Sequence, residues 1–228
     1  MKKYDTVIFD LDGTILYTLE DLNNSMNYAL KVNGFGTITL DDSRRFVGNG
    51  IVKYVERALA LQSRYDSARV EGLDNPDVKL VYDSFISNYI VHCNDKTCAY
   101  PGIIELMRTL CEKGYRLGIA TNKDKVAAVK LNELYFEGMI TGVAGVLDGC
   151  PKKPDPYMIN EVLKELGSDR EHTIYVGDSE VDVMTAKNSG LDMVAVLWGY
   201  RDRDELEKAG ATVFIDDAMQ LIEVLENE

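Results

Sequence analysis

Thr6-Val-Ile-Phe-Asp-Leu-Asp-Gly-Thr14 is the stretch whose reading decides the fold. Residues 6–9 form a short apolar run, and an acid, an apolar residue, a second acid and a glycine follow it at 10–13. Such a run reads as a buried strand, and Asp-x-Asp-Gly reads as the turn that ends it. After Tyr100-Pro101-Gly102 the same kind of strand recurs, near Tyr115–Ala120, Gly142–Val146, Thr173–Val176, Met193–Leu197 and Thr212–Ile215. Helical stretches lie between them, including Ile103–Glu112 and a helix from about Asp124 to Leu134. Alternation of this kind predicts an α/β fold with a doubly wound parallel sheet. Residues 18–94 carry only helical signals. Leu19, Leu22, Met26, Ala29 and Leu30 recur at helical spacing, as do Ile51, Val55 and Leu59, and then Val78 to Ile90. The expected organisation is therefore a core of 1–17 and 95–228, with 18–94 as an inserted helical domain.

Composition narrows the class. The chain has 228 residues, a formal net charge of −13 and 28% charged residues, a soluble globular balance. That length buries enough surface to fold without a disulfide or metal staple. The longest uninterrupted apolar run, Met193–Trp198, falls far short of the ~20 residues a membrane span needs. Asp10 breaks the apolar stretch behind Lys2 and Lys3, so no signal peptide is read there. Cys93, Cys98, Cys111 and Cys150 form no CxxC pair, which fits a reducing, cytoplasmic setting. His92, Cys93 and Cys98 match no zinc spacing and read as a helix end with buried thiols. The acidic balance argues against a nucleic-acid surface. Charge is unevenly spread: 18–94 has a net of −2, but 44–70 within it has a net of +4, from Arg44, Arg45, Lys53, Arg57, Arg64 and Arg69 against Glu56 and Asp66.

In an open parallel sheet, ligands bind at the carboxyl ends of strands, beside the point where strand order reverses. Just past those ends come Asp10, Asp12, Gly13 and Thr14; then Thr121 and Asn122; then Lys152-Lys153-Pro154; then Gly177, Asp178, Ser179 and Asp182. Taken singly, each has a plainer explanation. Asp-Gly is a common turn, Ser179 a helix cap, Thr121 a strand-end hydroxyl and Lys153 a solvated lysine. Together they bring carboxylates, a hydroxyl and an ammonium to one edge. Clustered carboxylates call for a hard cation, and Mg²⁺ prefers one or two carboxylates plus phosphate oxygens. A carboxylate nucleophile can also split a phosphoryl transfer into two easier steps.

Asp10-x-Asp12-Gly13-Thr14, Thr121, Lys153-Pro-x-Pro and Gly177-Asp178-Ser179-x-x-Asp182 resemble the four motifs of the haloacid dehalogenase-like hydrolase superfamily, in its order. The resemblance covers essentially the whole chain and implies a Rossmann-like core with a helical type 1 cap. It implies Asp10 as nucleophile and Mg²⁺ ligand. Asp12 would be the acid/base, with its backbone carbonyl on the metal. Thr121 and the Asn122 backbone would hold phosphate, and Lys153, taken over Lys152 because it directly precedes Pro154, would neutralise it. Asp178 would ligate the metal directly, and Asp182 from the second shell or through water. The acid at Asp12 separates phosphatases from the metal-free dehalogenase branch. Phe46-Val-Gly-Asn-Gly50, Val55-Glu-Arg-Ala-Leu59 and Trp198-Gly-Tyr-Arg201 look like phosphoglycolate phosphatases. Arg45, Gly48 and Asn49 would then meet a small anionic substrate, beside a helix N-terminus suited to anions. Tyr17 stands where many members have an acid. The implied protein is a Mg²⁺-dependent phosphatase of a small phosphorylated metabolite, a monomer or weak homodimer, with no nucleic-acid or membrane partner. Pyrophosphatase, nucleotidase and β-phosphoglucomutase-like activities share this fold. A phospho-accepting signalling domain is the non-enzymatic reading, though it would have no use for the insert at 18–94.

Overall fold

The computed structural model describes residues 3–62 and 72–227, so Arg64, Asp66 and Arg69 of the basic stretch lie outside the described residues. The first strand, β1 Thr6–Phe9, is followed by the two-residue β2 Leu16–Tyr17. Four helices come next, α1 Leu19–Val32, α2 Leu40–Phe46, α3 Ile51–Ala60 and α4 Pro76–His92, and then β3 Cys98–Ala99. The chain continues as α5 Ile103–Glu112, β4 Arg116–Asp124, α6 Lys125–Phe136, β5 Gly142–Val146 and α7 Tyr157–Leu166. It ends with β6 Thr173–Gly177, α8 Glu180–Ser189, β7 Asp192–Val196, α9 Arg203–Ala209, β8 Phe214–Ile215 and α10 Gln220–Asn227.

Among the described residues, six strands form one parallel sheet in the order β5-β4-β1-β6-β7-β8, and β2 and β3 pair separately. The sheet is central because its apolar residues alternate. Val7 and Phe9 point to one face, with Leu117, Ile119, Ile174 and Val176, and are covered by Leu106, Leu110, Leu131 and Leu221. Ile8 and Tyr175 point to the other, against Met158, Ile159 and Val162. Each of these aliphatic side chains contributes roughly 1.5–3 kcal/mol on burial. The chain builds outward from β1 to β4 and β5, then returns to β1's other side with β6. The order reverses at β1, and Asp10 follows β1 directly.

The chain divides into two compact units, Met1–Tyr17 with Ala99–Glu228, and Thr18–Cys98. In the second, Tyr54, Phe85 and Tyr89 form an aromatic core, with Tyr54 edge-on to Phe85 and Phe85 stacked on Tyr89. Buried Asp21 accepts from the N–H groups of Lys96 and Thr97 and from the Thr97 hydroxyl, so the end of the unit is tied to its first helix. Helix α2 has no apolar stripe to announce it. A capping box between Thr39 and Asp42 starts it instead. Cys93 is buried at the end of α4, but Cys98 is exposed, which corrects the expectation of two buried thiols. Strand β4 runs four residues past the expected Ala120, because Thr121, Asn122 and Lys123 are polar and yet buried. The helix expected from Asp124 starts at Lys125, with Asp124 as its cap.

Candidate active site

Four carboxylates, two lysines and the hydroxyls of Thr14, Thr121, Tyr175 and Ser179 meet near the ends of β1, β4 and β6. Asp10 follows β1, and its backbone N–H donates to the carbonyl of Val176 on β6. Asp178 and Asp182 come from the end of β6 and the first turn of α8, where Ser179 and Asp182 form a capping box. Single oxygens of Asp10, Asp178 and Asp182 all lie within 4.8 Å of one another.

The three carboxylates are not equivalent. Asp182 is fully hydrogen-bonded: Oδ1 accepts from Lys153 Nζ at 2.7 Å and Tyr175 OH at 2.8 Å, and Oδ2 from Ser179 N at 3.0 Å and Ser179 Oγ at 2.5 Å. These donors and the Lys153 charge outweigh burial and hold its carboxyl below the usual range. Asp10 is different. Lys153 Nζ lies 2.8 Å from Asp10 Oδ1 as an ion pair, and this buried oxygen has no hydrogen-bond partner. Burial, with the charges of Asp182 and Asp12, pushes the Asp10 carboxyl up to about 7 against the pull of Lys153. Burial and the charges of Asp182 and Asp10 push Asp178 up to about 8, despite donors from Tyr200 N and Thr14 Oγ1. Two buried carboxyls held near neutrality, one with an orphaned oxygen, make an all-oxygen donor set that suits a hard cation. Asp10, Asp178 and Asp182 together could hold a metal ion, and of the three Asp182 already accepts four hydrogen bonds.

The ammonium belongs to Lys153 rather than Lys152, whose side chain is exposed. Its Nζ donates to Asp182 Oδ1 and Tyr175 OH and forms an ion pair with Asp10. Burial alone would lower the Lys153 pKa, but the two carboxylates more than reverse this and keep it charged. Asn122 supports the lysine from β4. Its side-chain Oδ1 accepts from Lys153 N at 2.8 Å, and its Nδ2 donates to Lys153 O at 3.2 Å. Thr121, buried, accepts from the backbone N–H of Lys123 at 3.2 Å. Asp12 Oδ1 accepts from Lys123 Nζ at 2.8 Å.

Trp198-Gly-Tyr200 is the wall behind Asp178. Trp198 Nε1 donates to Thr14 O at 2.9 Å, and Tyr200 N donates to Asp178 Oδ2 at 2.7 Å. Gly199 makes the approach possible, since a Cβ there would sit 2.2 Å from Asp178 Cβ. Gly13, at φ +91°, would bring a Cβ 2.5 Å from Asp178 Oδ2, so both its conformation and its neighbour require glycine. Tyr17 packs edge-on against Tyr100, which in turn leans on Trp198, so an aromatic contact occupies the position where an acid was expected.

Arg45, Gly48 and Asn49 lie in the other unit. Arg45 is exposed and ion-paired with Asp41 at 3.2 Å and Asp42 at 2.7 Å, so it already has two anionic partners. The guanidinium that organises the Phe46–Gly50 stretch is Arg57, which donates to Phe46 O at 2.6 Å and Asn49 Oδ1 at 2.7 Å. Gly50 caps α3. Lys123, Tyr175 and Arg57 were not singled out as site residues in the sequence. A lysine past a strand end reads as surface, a tyrosine within a strand as core, and an arginine in a basic run as solvated. No helix among the described residues is long and apolar enough to cross a membrane.

The chain is 35% identical over 198 residues to a phosphoglycolate phosphatase of Mesorhizobium japonicum, covering 86% of this chain and 84% of that one. It is 33% identical to the phosphoglycolate phosphatase of Agrobacterium fabrum, over 96% of this chain and 91% of that one. Among solved structures, a candidate phosphoglycolate phosphatase from Lactobacillus delbrueckii subsp. bulgaricus superposes with a TM-score of 0.90 at 38% identity, covering 99% of both chains. Residues 7–196, from within β1 to the end of β7, match the haloacid dehalogenase-like hydrolases, and the chain belongs to that family.

Proposed function

We propose that this phosphatase is Mg²⁺-dependent and hydrolyses a small phosphomonoester of the phosphoglycolate type through an aspartyl phosphate on Asp10. One observation carries the reading: the buried Asp10 carboxyl, with an oxygen that no hydrogen bond satisfies, lies against Lys153 and two further carboxylates. In the first step an Asp10 oxygen attacks phosphorus, the bond to the leaving oxygen breaks, and Asp12 gives that oxygen its proton. In the second, Asp12 takes a proton from water as the water oxygen attacks phosphorus. The bond to Asp10 then breaks, releasing inorganic phosphate and restoring both carboxyls. The Thr121 hydroxyl and the Asn122 backbone N–H hold phosphate oxygens, and Lys153 offsets the charge that Asp10 and the phosphate bring together.

Asp10, Asp178 and the backbone carbonyl of Asp12 would hold Mg²⁺, with Asp182 acting through Lys153 or a water. When bound, the cation supplies positive charge for the carboxylates and the transferring phosphoryl oxygens. The proposal that Arg45, Gly48 and Asn49 recognise the substrate's anionic end rests on their resemblance to phosphoglycolate phosphatases. The substrate itself is proposed from the named activity of the similar proteins.

Phosphate release across a panel tests the reading: 2-phosphoglycolate, an uncharged alkyl phosphate, p-nitrophenyl phosphate, a nucleoside monophosphate and pyrophosphate, each with Mg²⁺ and with EDTA. The expected result is turnover that EDTA abolishes and Mg²⁺ restores, with the highest kcat/KM on 2-phosphoglycolate. Turnover that survives EDTA would remove the metal from the reading, and a preference for pyrophosphate or the nucleotide would replace the substrate.

A further inference from the structure

Lys123 is a buried ammonium to which the reaction as drawn gives no task. Its side chain is 3% exposed, and it stands on β4 two residues beyond Thr121. The carboxylate cluster of Asp10 and Asp182 is served by Lys153, whereas Lys123 turns to Asp12, with Nζ 2.8 Å from Asp12 Oδ1. Through its backbone the same residue donates to Thr121 Oγ1 at 3.2 Å. One residue thus touches the hydroxyl proposed to hold the phosphoryl group and the carboxyl proposed to serve the leaving oxygen. Lys123 Nζ is buried, so leaving it without its acceptor would cost the desolvation of that donor, and the contact with Asp12 is held.

We infer that Lys123 is the positioning residue for Asp12, fixing its carboxyl against the leaving oxygen at a set distance from the phosphoryl site on Thr121. The inference rests on the phosphatase reading above. Asp12 needs such a partner. It lies beyond the end of β1, beside a glycine with a left-handed backbone, and its side chain is 20% exposed. An aspartate in that setting has several rotamers open to it, and proton transfer tolerates little misplacement. Lys123 Nζ engages Oδ1 and so selects one of them.

The role predicts a dependence on the leaving group. An alkoxide departs poorly without a proton, but p-nitrophenolate departs readily without one. The ratio kcat/KM reports the steps through leaving-group departure, so loss of Asp12 positioning should appear there for the alkyl ester alone. Lys123→Met keeps the backbone N–H on Thr121 and removes the ammonium. In the full chain with Mg²⁺, Lys123→Met should lower kcat/KM about 100-fold for an unactivated alkyl phosphate and less than about threefold for p-nitrophenyl phosphate. Lys123→Gln, which keeps a donor without the charge, should show the same split at smaller amplitude, and it carries the test if the Met variant does not fold.

Equal losses on both substrates, or no loss on either, would overturn the role and leave the phosphatase reading intact. So would a raised KM confined to 2-phosphoglycolate, which would make Lys123 an anion-binding residue instead. A wild-type enzyme that hydrolyses neither ester would overturn the phosphatase reading and this inference with it.

Discussion

Asp10→Asn should slow phosphate release by at least about 10⁴-fold, the scale at which loss of a covalent nucleophile is felt. The same variant should melt no lower than wild type in metal-free buffer at about pH 8, and the reason lies in linkage. Unfolded, the Asp10 carboxyl releases its proton near the ordinary 3.8; folded, it does so at about 7. Its contribution therefore favours the fold below pH 3.8 and is lost as pH rises through 7. Above that, the metal-free protein holds an ionised, buried carboxylate among like charges. Asparagine is neutral at every pH and relieves it. Phosphate release by initial rates and melting by scanning calorimetry measure the two halves separately. Retained turnover would remove Asp10 as nucleophile. A melting temperature well below wild type at pH 8 would show that the carboxylate stabilises the site.

Lys153→Met should behave in the opposite way, losing both activity and stability. The side chain is 2% exposed and is the cationic partner of both Asp10 and Asp182. Breaking a buried ion pair by deleting one partner costs about 3–5 kcal/mol, because the remaining charge stays buried. For a chain of this size that is roughly 10 °C of melting temperature. Turnover should also fall by about 10³-fold, since the ammonium faces the position where phosphate and nucleophile charges meet. Mg²⁺ should recover part of the lost stability and little of the activity. An unchanged melting temperature would mean that the carboxylates are neutral in the folded protein, contradicting the charge state given to Asp182.

The fold was legible because its signals were local and apolar. Thr6–Phe9 reads as a strand and is one, with the same limits. Gly142–Val146 likewise coincides with β5. What was hidden was polar. Thr121, Asn122 and Lys123 continue β4 although none looks like a strand interior, because each is hydrogen-bonded within the site. Helix α2 rests on a capping box in Leu40-Asp-Asp-Ser-Arg-Arg-Phe46, where periodicity has nothing to detect.

The site divides the same way. Asp10, Asp178, Asp182 and Lys153 could be named because carboxylates and a lysine at successive strand ends are unusual as a set. The structure supplies what spacing cannot, namely which oxygen is left over. Asp182 accepts four hydrogen bonds and Asp10 Oδ1 none, a difference that depends on Tyr175 and Ser179. Trp198-Gly-Tyr200 was noticed only as a likeness, and its physical content is the N–H and the space it gives Asp178. Arg45 drew attention in a basic stretch before a glycine turn, but its charge is met by Asp41 and Asp42 within its own helix.

The most direct test of the central claim is to quench the enzyme with borohydride during steady turnover of 2-phosphoglycolate with Mg²⁺ and to map the product by peptide mass spectrometry. An aspartyl phosphate is reduced by this reagent and an ordinary carboxylate is not. Conversion of Asp10 to homoserine, dependent on both substrate and Mg²⁺, is the result predicted here. Reduction at another residue, or an intact Asp10 while phosphate is being released at full rate, would contradict it.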